Sequence, residues 1–258
     1  MWDTDRYLPL LQSFTQLTDI SGGWSAADES VVKSYACPHV RELRKICGSH
    51  IPFAAFPDLT GVSFYVASSE NLLSLSRCCT ALQRLNLPKD THVHSGPHVD
   101  GLTSAFRSFA SFKHLTHLTL PPCGSAALAA FVSAAVAAGV GAPKLHYLHM
   151  HGLVGIIDLM QLPQLVTVCG VRELSVVVRD PPCSTPCSIP PNVMEVSLWL
   201  VGLSAVPKVS LSVGTYRMRA IVESAKLWAT DSGLSLPAML RVCVVPDEQA
   251  PGLAVAHQ

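Results

Sequence analysis

One short pattern of apolar positions recurs along the chain: an apolar residue, two variable residues, an apolar residue, one variable residue and an apolar residue. Residues two apart on a β-strand point to the same side. In LTHLTL this places Leu118 and Leu120 on one side and His117 and Thr119 on the other, so each copy predicts a short strand with one apolar face. Six clear copies begin at Leu59 (LTGVSF), Leu82 (LQRLNL), Leu115 (LTHLTL), Leu145 (LHYLHM), Val171 (VRELSV) and Val193 (VMEVSL).

Weaker copies extend the pattern toward both ends of the chain. They begin at Leu17 (LTDI), Val40 (VREL), Val206 (VPKVSL) and Met239 (MLRVCV). Because one short strand cannot bury its apolar face alone, several neighbouring strands must stack to form a continuous core.

The segments between strands have the spacing of helices. Ser68 and Ser125 stand where N-caps are expected, and Gly139 stands where a C-cap is expected. The repeated unit is therefore strand, helix, parallel strand. The predicted helices are SSENLLSLSRC from Ser68, VDGLTSAFRSFAS from Val99, SAALAAFVSAAVAAG from Ser125 and GIIDLMQL from Gly155.

These copies resemble a leucine-rich repeat protein, and their long, irregular spacing is most similar to the ribonuclease-inhibitor-like and cysteine-containing types. The resemblance covers residues 56–200. The family's Asn or Cys three residues past the last strand leucine is present here only as Cys123, with Asp90 as a substitute in another copy. The resemblance implies an α/β fold, a leucine-rich-repeat solenoid with a parallel concave sheet and convex helices.

Two segments interrupt this rhythm. The stretch from Asp180 to Pro191 contains five prolines and predicts a rigid loop. The segment YRMRAIVESAKLWA from Tyr216 has helical spacing and predicts a closing helix. We expect an N-terminal cap with weak repeats at 1–55, leucine-rich repeats at 56–205, a degenerate repeat with a capping helix at 206–245, and a flexible tail at 246–258.

Outward residues of in-register strands form rows across the sheet. Because adjacent strands lie about 4.8 Å apart, Tyr147 is expected between His117 and Glu173. Aromatic side chains with a few polar groups are typical of protein-binding hot spots; the alternative is an ordinary solvated sheet face. The candidate partner-binding residues are Arg84, His117, Tyr147, His149, His151, Glu173, Glu195 and Trp199.

Histidines raise the alternative of a metal site. His149 and His151 lie on one side of a predicted strand, with Glu173 on the next. Zinc sites need three or four convergent ligands. We therefore expect satisfied or exposed histidines, free thiols at Cys183 and Cys187, and no metal or other cofactor. A second set of histidines, in the segment THVHSGPH, is treated in the same way and comprises His92, His94 and His98.

Composition narrows the function classes. The 258 residues carry 18 basic and 18 acidic side chains, so bulk charge does not favour nucleic acid. Hydrophobic residues make up 49% of the chain and charged residues only 14%, a composition that excludes extensive disorder. The low charge also favours a surface that contacts a partner.

The compartment is predicted from the chain start and the thiols. The first residues lack the pattern of a secretory signal, and nine scattered cysteines indicate reduced thiols in a cytoplasmic or nuclear protein. The apolar stretch 125–142 is rich in Ala and Gly, so a helix packed closely on the sheet is expected rather than a membrane span.

The sequence carries no phosphate-binding glycine loop, zincin helix, nucleophile elbow or dinucleotide fingerprint. We therefore expect a non-enzymatic module that binds a partner protein on the concave face, within a larger assembly. Two alternatives stay open: a substrate-recognition subunit of a ubiquitin ligase, implied by the resemblance, and a metal-dependent hydrolase built on the histidines. Imidazoles charging together near pH 6 would make binding acid-sensitive.

Overall fold

The computed structural model describes residues 4–23, 35–47, 51–87, 92–94, 99–122, 125–153, 156–178 and 192–244. Several sequence expectations fall outside these ranges. They are the proline-rich loop at 180–191 with Cys183 and Cys187, the tail at 246–258, Cys123 and His98.

Strands and helices alternate along most of the described chain. The strands are β1 (Asp19–Gly23), β2 (Glu42–Cys47), β3 (Gly61–Phe64), β4 (Val66–Ser68), β5 (Arg84–Asn86), β6 (His92–His94), β7 (His117–Leu120), β8 (Tyr147–Leu153), β9 (Glu173–Val178), β10 (Lys208–Val213) and β11 (Met239–Val244). The helices are α1 (Thr4–Ser13), α2 (Ser69–Cys78), α3 (Val99–Ser108), α4 (Ser125–Ala138), α5 (Ile156–Cys169), α6 (Val193–Gly202) and α7 (Tyr216–Asp231).

Within the described ranges, nine strands form one open, parallel sheet. Their spatial order, β1-β2-β3-β5-β7-β8-β9-β10-β11, follows the chain, while β4 and β6 pair in a separate two-stranded sheet. Parallel neighbours need a crossover connection, and from β3 onward every connection within the large sheet contains one α-helix in its described residues. The expected α/β fold with a parallel sheet is confirmed.

The inward leucines lie side by side as predicted. Leu85 is paired with Leu118, Leu118 with Leu148, and Leu148 with Leu174. These four residues are at most 1% exposed. The weak copies also form strands. LTDI, VREL and VPKVSL each overlap the start of a strand, β1, β2 and β10, and MLRVCV is β11 itself.

The copy at Val193 is a helix, and its prediction as a strand was wrong. The Asn192 side chain accepts a hydrogen bond from the Glu195 backbone N–H at 2.8 Å, while the Glu195 carboxylate accepts one from the Asn192 N–H at 3.0 Å. This reciprocal capping box stabilises a helix start. The next strand of the sheet is β10, which pairs with β9 over six residues.

The helices and the inward side of the sheet share one hydrophobic core. Leu118 of β7 and Leu128 of α4 belong to the same buried cluster. The Phe109 ring centroid lies 5.0 Å from that of Phe106 and 5.9 Å from that of Phe131. Burial of one such side chain stabilises the fold by about 1.5–3 kcal/mol, so the stacked strands depend on the helix layer.

Two predicted caps are found at the helix ends. The Ser68 hydroxyl accepts a hydrogen bond from the Asn71 N–H at 3.1 Å and begins α2. Gly139 follows α4 with φ +52°, a left-handed conformation that favours glycine at helix ends. None of the helices in the described ranges is long and apolar enough to cross a bilayer.

The burial of individual thiols generates a prediction for cysteine reactivity. Burial, with a smaller contribution from the adjacent Cys78, raises the pKa of Cys79 to about 12, and burial raises the pKa of Cys169 to about 11. Cys243 on the edge strand β11 is exposed. Because the thiolate is the nucleophile, iodoacetamide at pH 8 should modify Cys243 in the folded chain and leave Cys79 and Cys169 unmodified.

Peptide mass spectrometry of the alkylated chain provides the measurement. In denaturant the three thiols should react at similar rates, which serves as the control. Equal modification of Cys79 and Cys243 under native conditions would contradict the described packing.

Candidate binding face

The outward side chains of the central strands form two rows across the sheet, and we call this surface the outer face. Gly61 is buried, whereas the other members of the rows are exposed or half-buried. The first row contains Glu42, Gly61, Arg84, His117, Tyr147, Glu173 and Lys208. The second row contains Ser63, Asn86, Thr119, His149, Ser175 and Ser210.

Gly61 allows an ion pair to form across β3. The Glu42 carboxylate passes over Gly61 and pairs with the Arg84 guanidinium. A Cβ at Gly61 would lie 2.5 Å from Glu42 Oε2, so a larger residue would displace the carboxylate. Nearby, Arg44 Nε and Asp19 Oδ2 are 2.9 Å apart. Opposite charges are therefore paired at the N-terminal end of the outer face.

A second ion pair lies on the other side of the central strands. Lys208 Nζ of β10 donates to Glu173 Oε1 of β9 at 2.6 Å. Both side chains are more than one third exposed, and solvent screens such a pair. The main effect of this pair is therefore to neutralise the Glu173 charge beside Tyr147.

Four ring side chains occupy the space between these ion pairs, and we call them the His-Tyr patch: His117, Tyr147, His149 and His151. The ring centroids of His117 and Tyr147 are 6.1 Å apart, and those of Tyr147 and His149 are 6.4 Å apart with planes only 6° from parallel. His149 Nε2 and His151 Nδ1 are 3.1 Å apart, which is hydrogen-bond distance. The four rings thus adjoin one another along the outer face.

Partial burial alters the titration of the patch. Burial lowers the pKa of His117 below its ordinary value, and His146 and Arg84 act in the same direction. Burial also lowers the pKa of His149. Burial raises the pKa of Tyr147, and the Glu173 carboxylate adds to this effect while Lys208 opposes it. His117 and His149 therefore take up protons at a lower pH than an unperturbed histidine, whose pKa is about 6.5. The acid sensitivity of partner binding stays a prediction.

The structure brings together six of the eight residues predicted from sequence. Arg84, His117, Tyr147, His149, His151 and Glu173 lie on neighbouring strands β5, β7, β8 and β9. Glu195 and Trp199 do not join them, because both lie on α6. Glu195 caps that helix, and Trp199 is 2% exposed within the core.

Sequence reasoning missed Glu42 and Lys208. Lys208 lies beside Glu173 in the first row, and Glu42 lies beside Gly61. The repeat pattern could have identified Lys208 as an outward residue, because Lys208 occupies the same place in VPKVSL as Tyr147 does in LHYLHM. Glu42 likewise follows from VREL once that copy is aligned with the others.

The described residues contain no group of three or more His, Cys, Asp or Glu side chains arranged to hold a metal ion. His92 and His94 of the second histidine set lie on β6, which belongs to the small sheet. They are therefore not in one sheet with His149 and His151.

Comparison with known proteins leaves the classification at the level of the fold. No protein-family model matches the chain, and a search of the curated proteins found no match. The fold and the outer face together define an α/β protein with an open parallel sheet that carries a His-Tyr patch. Membership of the leucine-rich repeat superfamily stays a prediction.

The lowered pKa of His117 predicts acid-dependent stability. The unfolded chain takes up a proton near pH 6.5, whereas the folded chain does so only at lower pH. The free energy of unfolding should therefore be highest above pH 6.5 and fall as the pH drops toward the pKa of folded His117. His117→Gln should reduce the loss of stability between pH 7.5 and 5.5, measured by urea denaturation.

The exposed His114, in the turn before β7, offers a matched control. His114→Gln should keep the pH dependence of the parent chain. An identical pH dependence in His117→Gln and the parent would contradict the prediction.

The burial of Trp199 predicts a difference between two substitutions. Its Nε1 is buried and has no hydrogen-bond partner among the described residues. Trp199→Ala should cost about 3–5 kcal/mol by leaving a cavity. Trp199→Phe should cost about 1 kcal/mol, because removing a desolvated, unpaired N–H offsets part of the lost packing. Chemical denaturation measures both costs, and equal costs would show that the indole is not packed as described.

Proposed function

We propose that this chain is a non-catalytic interaction module that binds a partner protein on the outer face of its sheet. Its repeats build a leucine-rich-repeat solenoid, and the outer face is the concave side. The observation that carries the proposal is the His-Tyr patch, a set of ordered ring side chains that the buried core does not use.

The rigidity of the patch supports this function. His117 and Tyr147 are attached to paired strands whose inward neighbours, Leu118 and Leu148, are fully buried. The His117 ring is further held by the Thr116 hydroxyl, which lies 2.9 Å from Nδ1. Side chains that are ordered before binding lose little conformational entropy when a partner docks. Such anchors give affinity with few contacts.

The chemistry of the patch also favours a protein partner. Tyrosine is enriched in binding hot spots, where its ring supplies apolar contact and its hydroxyl a directed hydrogen bond. The flanking charges are paired within the chain, as Glu42 with Arg84 and Glu173 with Lys208. A partner surface of mixed polar and aromatic character fits this face better than a highly charged one. The ligase and hydrolase alternatives have no supporting observation within the described ranges.

The proposal predicts the effect of removing two rings. Tyr147→Ala combined with His149→Ala should weaken partner binding at least tenfold, since hot-spot truncations cost about 2 kcal/mol or more. Both side chains are half-buried and outward, so the fold should be retained. Affinity purification and cross-linking mass spectrometry first identify the captured partners. Each partner is then purified, and its Kd is measured for the parent chain and for the double variant.

The helix side offers a matched control. Val140 and Leu227 are 97% and 67% exposed, and their double substitution by Ala removes two exposed side chains away from the outer face. This variant should bind like the parent. The assignment of the outer face is wrong if the Tyr147 and His149 variant binds normally, or if the control variant loses binding to the same extent.

A further inference from the structure

His149 and His151 bring two ring nitrogens closer together than their positions on the strand require. Side chains two residues apart on a strand start about 6.5–7 Å from each other at the backbone. Here His149 Nε2 and His151 Nδ1 are only 3.1 Å apart, with ring planes at 82°. The two side chains therefore converge on one point above the outer face.

This separation matches that of two nitrogens bound to one metal ion. With metal–nitrogen bonds of about 2.0–2.1 Å, two ligands lie about 3.3 Å apart in a tetrahedral site and about 2.9 Å apart at a right angle. The measured distance of 3.1 Å falls between these values. To bind a shared ion, the hydrogen bond between the two rings must break, and both rings must turn so that their lone pairs point at the ion instead of at each other.

We propose that His149 Nε2 and His151 Nδ1 chelate a divalent transition-metal ion, Zn²⁺ or Cu²⁺, with water in the remaining coordination positions. Imidazole is a ligand of borderline softness that suits these ions, whereas Mg²⁺ and Ca²⁺ prefer oxygen. This inference concerns binding alone and does not depend on the proposed partner function.

Metal binding moves the proton that lies between the two rings. Two neutral imidazoles carry two ring protons, one of which occupies the hydrogen bond between His149 Nε2 and His151 Nδ1. When the metal takes both nitrogens, this proton moves to the other nitrogen of the same ring. No net proton is released, and both imidazoles stay neutral.

The surroundings set the strength expected of the site. The described residues supply no third His, Cys, Asp or Glu ligand at this point. His149 Nδ1 is buried and has no hydrogen-bond partner among the described residues, and metal-binding histidines usually use the second nitrogen for such support. The affinity should therefore be in the micromolar range, with Cu²⁺ bound more tightly than Zn²⁺.

The chain contains its own matched control. His92 and His94 have the same spacing on β6 but lie in the small sheet. The double substitution His92→Gln and His94→Gln removes two histidines and leaves His149 and His151 in place.

Imidazole NMR of the full chain tests the site directly. Addition of Zn²⁺ should shift the ring ¹⁵N signals of His149 and His151 to saturation at one equivalent, and Mg²⁺ should not. In calorimetry, His149→Gln and His151→Gln should each weaken Zn²⁺ binding at least tenfold, while the His92 and His94 control keeps the affinity of this site.

Three outcomes would overturn the proposal. They are Zn²⁺ shifts confined to other histidines, shifts at His149 and His151 that do not saturate, and unchanged Zn²⁺ affinity in both single variants. Because the NMR readout uses the unmodified chain, it does not depend on the folding of any variant.

Discussion

In-register stacking of buried leucines joins the strands to the helix layer and sets the position of every outward side chain. Each short strand presents an inward residue such as Leu118 or Leu148 to the next strand and to the helix layer. A slip of one residue would turn every apolar side chain outward and every polar one inward. The core therefore fixes the register, and the register fixes which side chains are neighbours on the outer face.

The chemistry of the outer face follows from that register. Side chains far apart in the sequence, such as His117, Tyr147 and Glu173, become neighbours in one row. Gly61 leaves a gap in the same row that the Glu42 and Arg84 ion pair bridges. The result is a surface whose formal charges are paired and whose centre consists of rings, and this composition favours recognition over bulk electrostatic attraction.

Much of this arrangement could be predicted from the sequence because strands have a period of two residues. The alternation in LTHLTL and LHYLHM places the leucines inward and the histidines outward without any further information. At Ser68 the local sequence was enough to predict the start of a helix, because the Ser68 hydroxyl caps that helix. The parallel sheet follows because a segment of helical spacing separates most of the predicted strands.

Three features could not be predicted from the sequence, because their physical causes do not show in the spacing of apolar residues. The segment from Val193 is apolar on nearly every side, so its spacing fits both strand and helix, and the capping box between Asn192 and Glu195 decides. The convergence of His149 and His151 depends on side-chain rotamers. The lowered pKa of His117 depends first on burial, which only the assembled sheet determines.

Methyl NOEs among the inward leucines measure the register of the sheet. With selectively labelled leucines, the register described here predicts contacts from Leu85 to Leu118, from Leu118 to Leu148 and from Leu148 to Leu174, because these residues are paired on adjacent strands. It predicts none between Leu118 and Leu174, which are two strands and about 9.6 Å apart. Missing contacts between adjacent pairs, or a direct Leu118 to Leu174 contact, would contradict the register and with it the outer face.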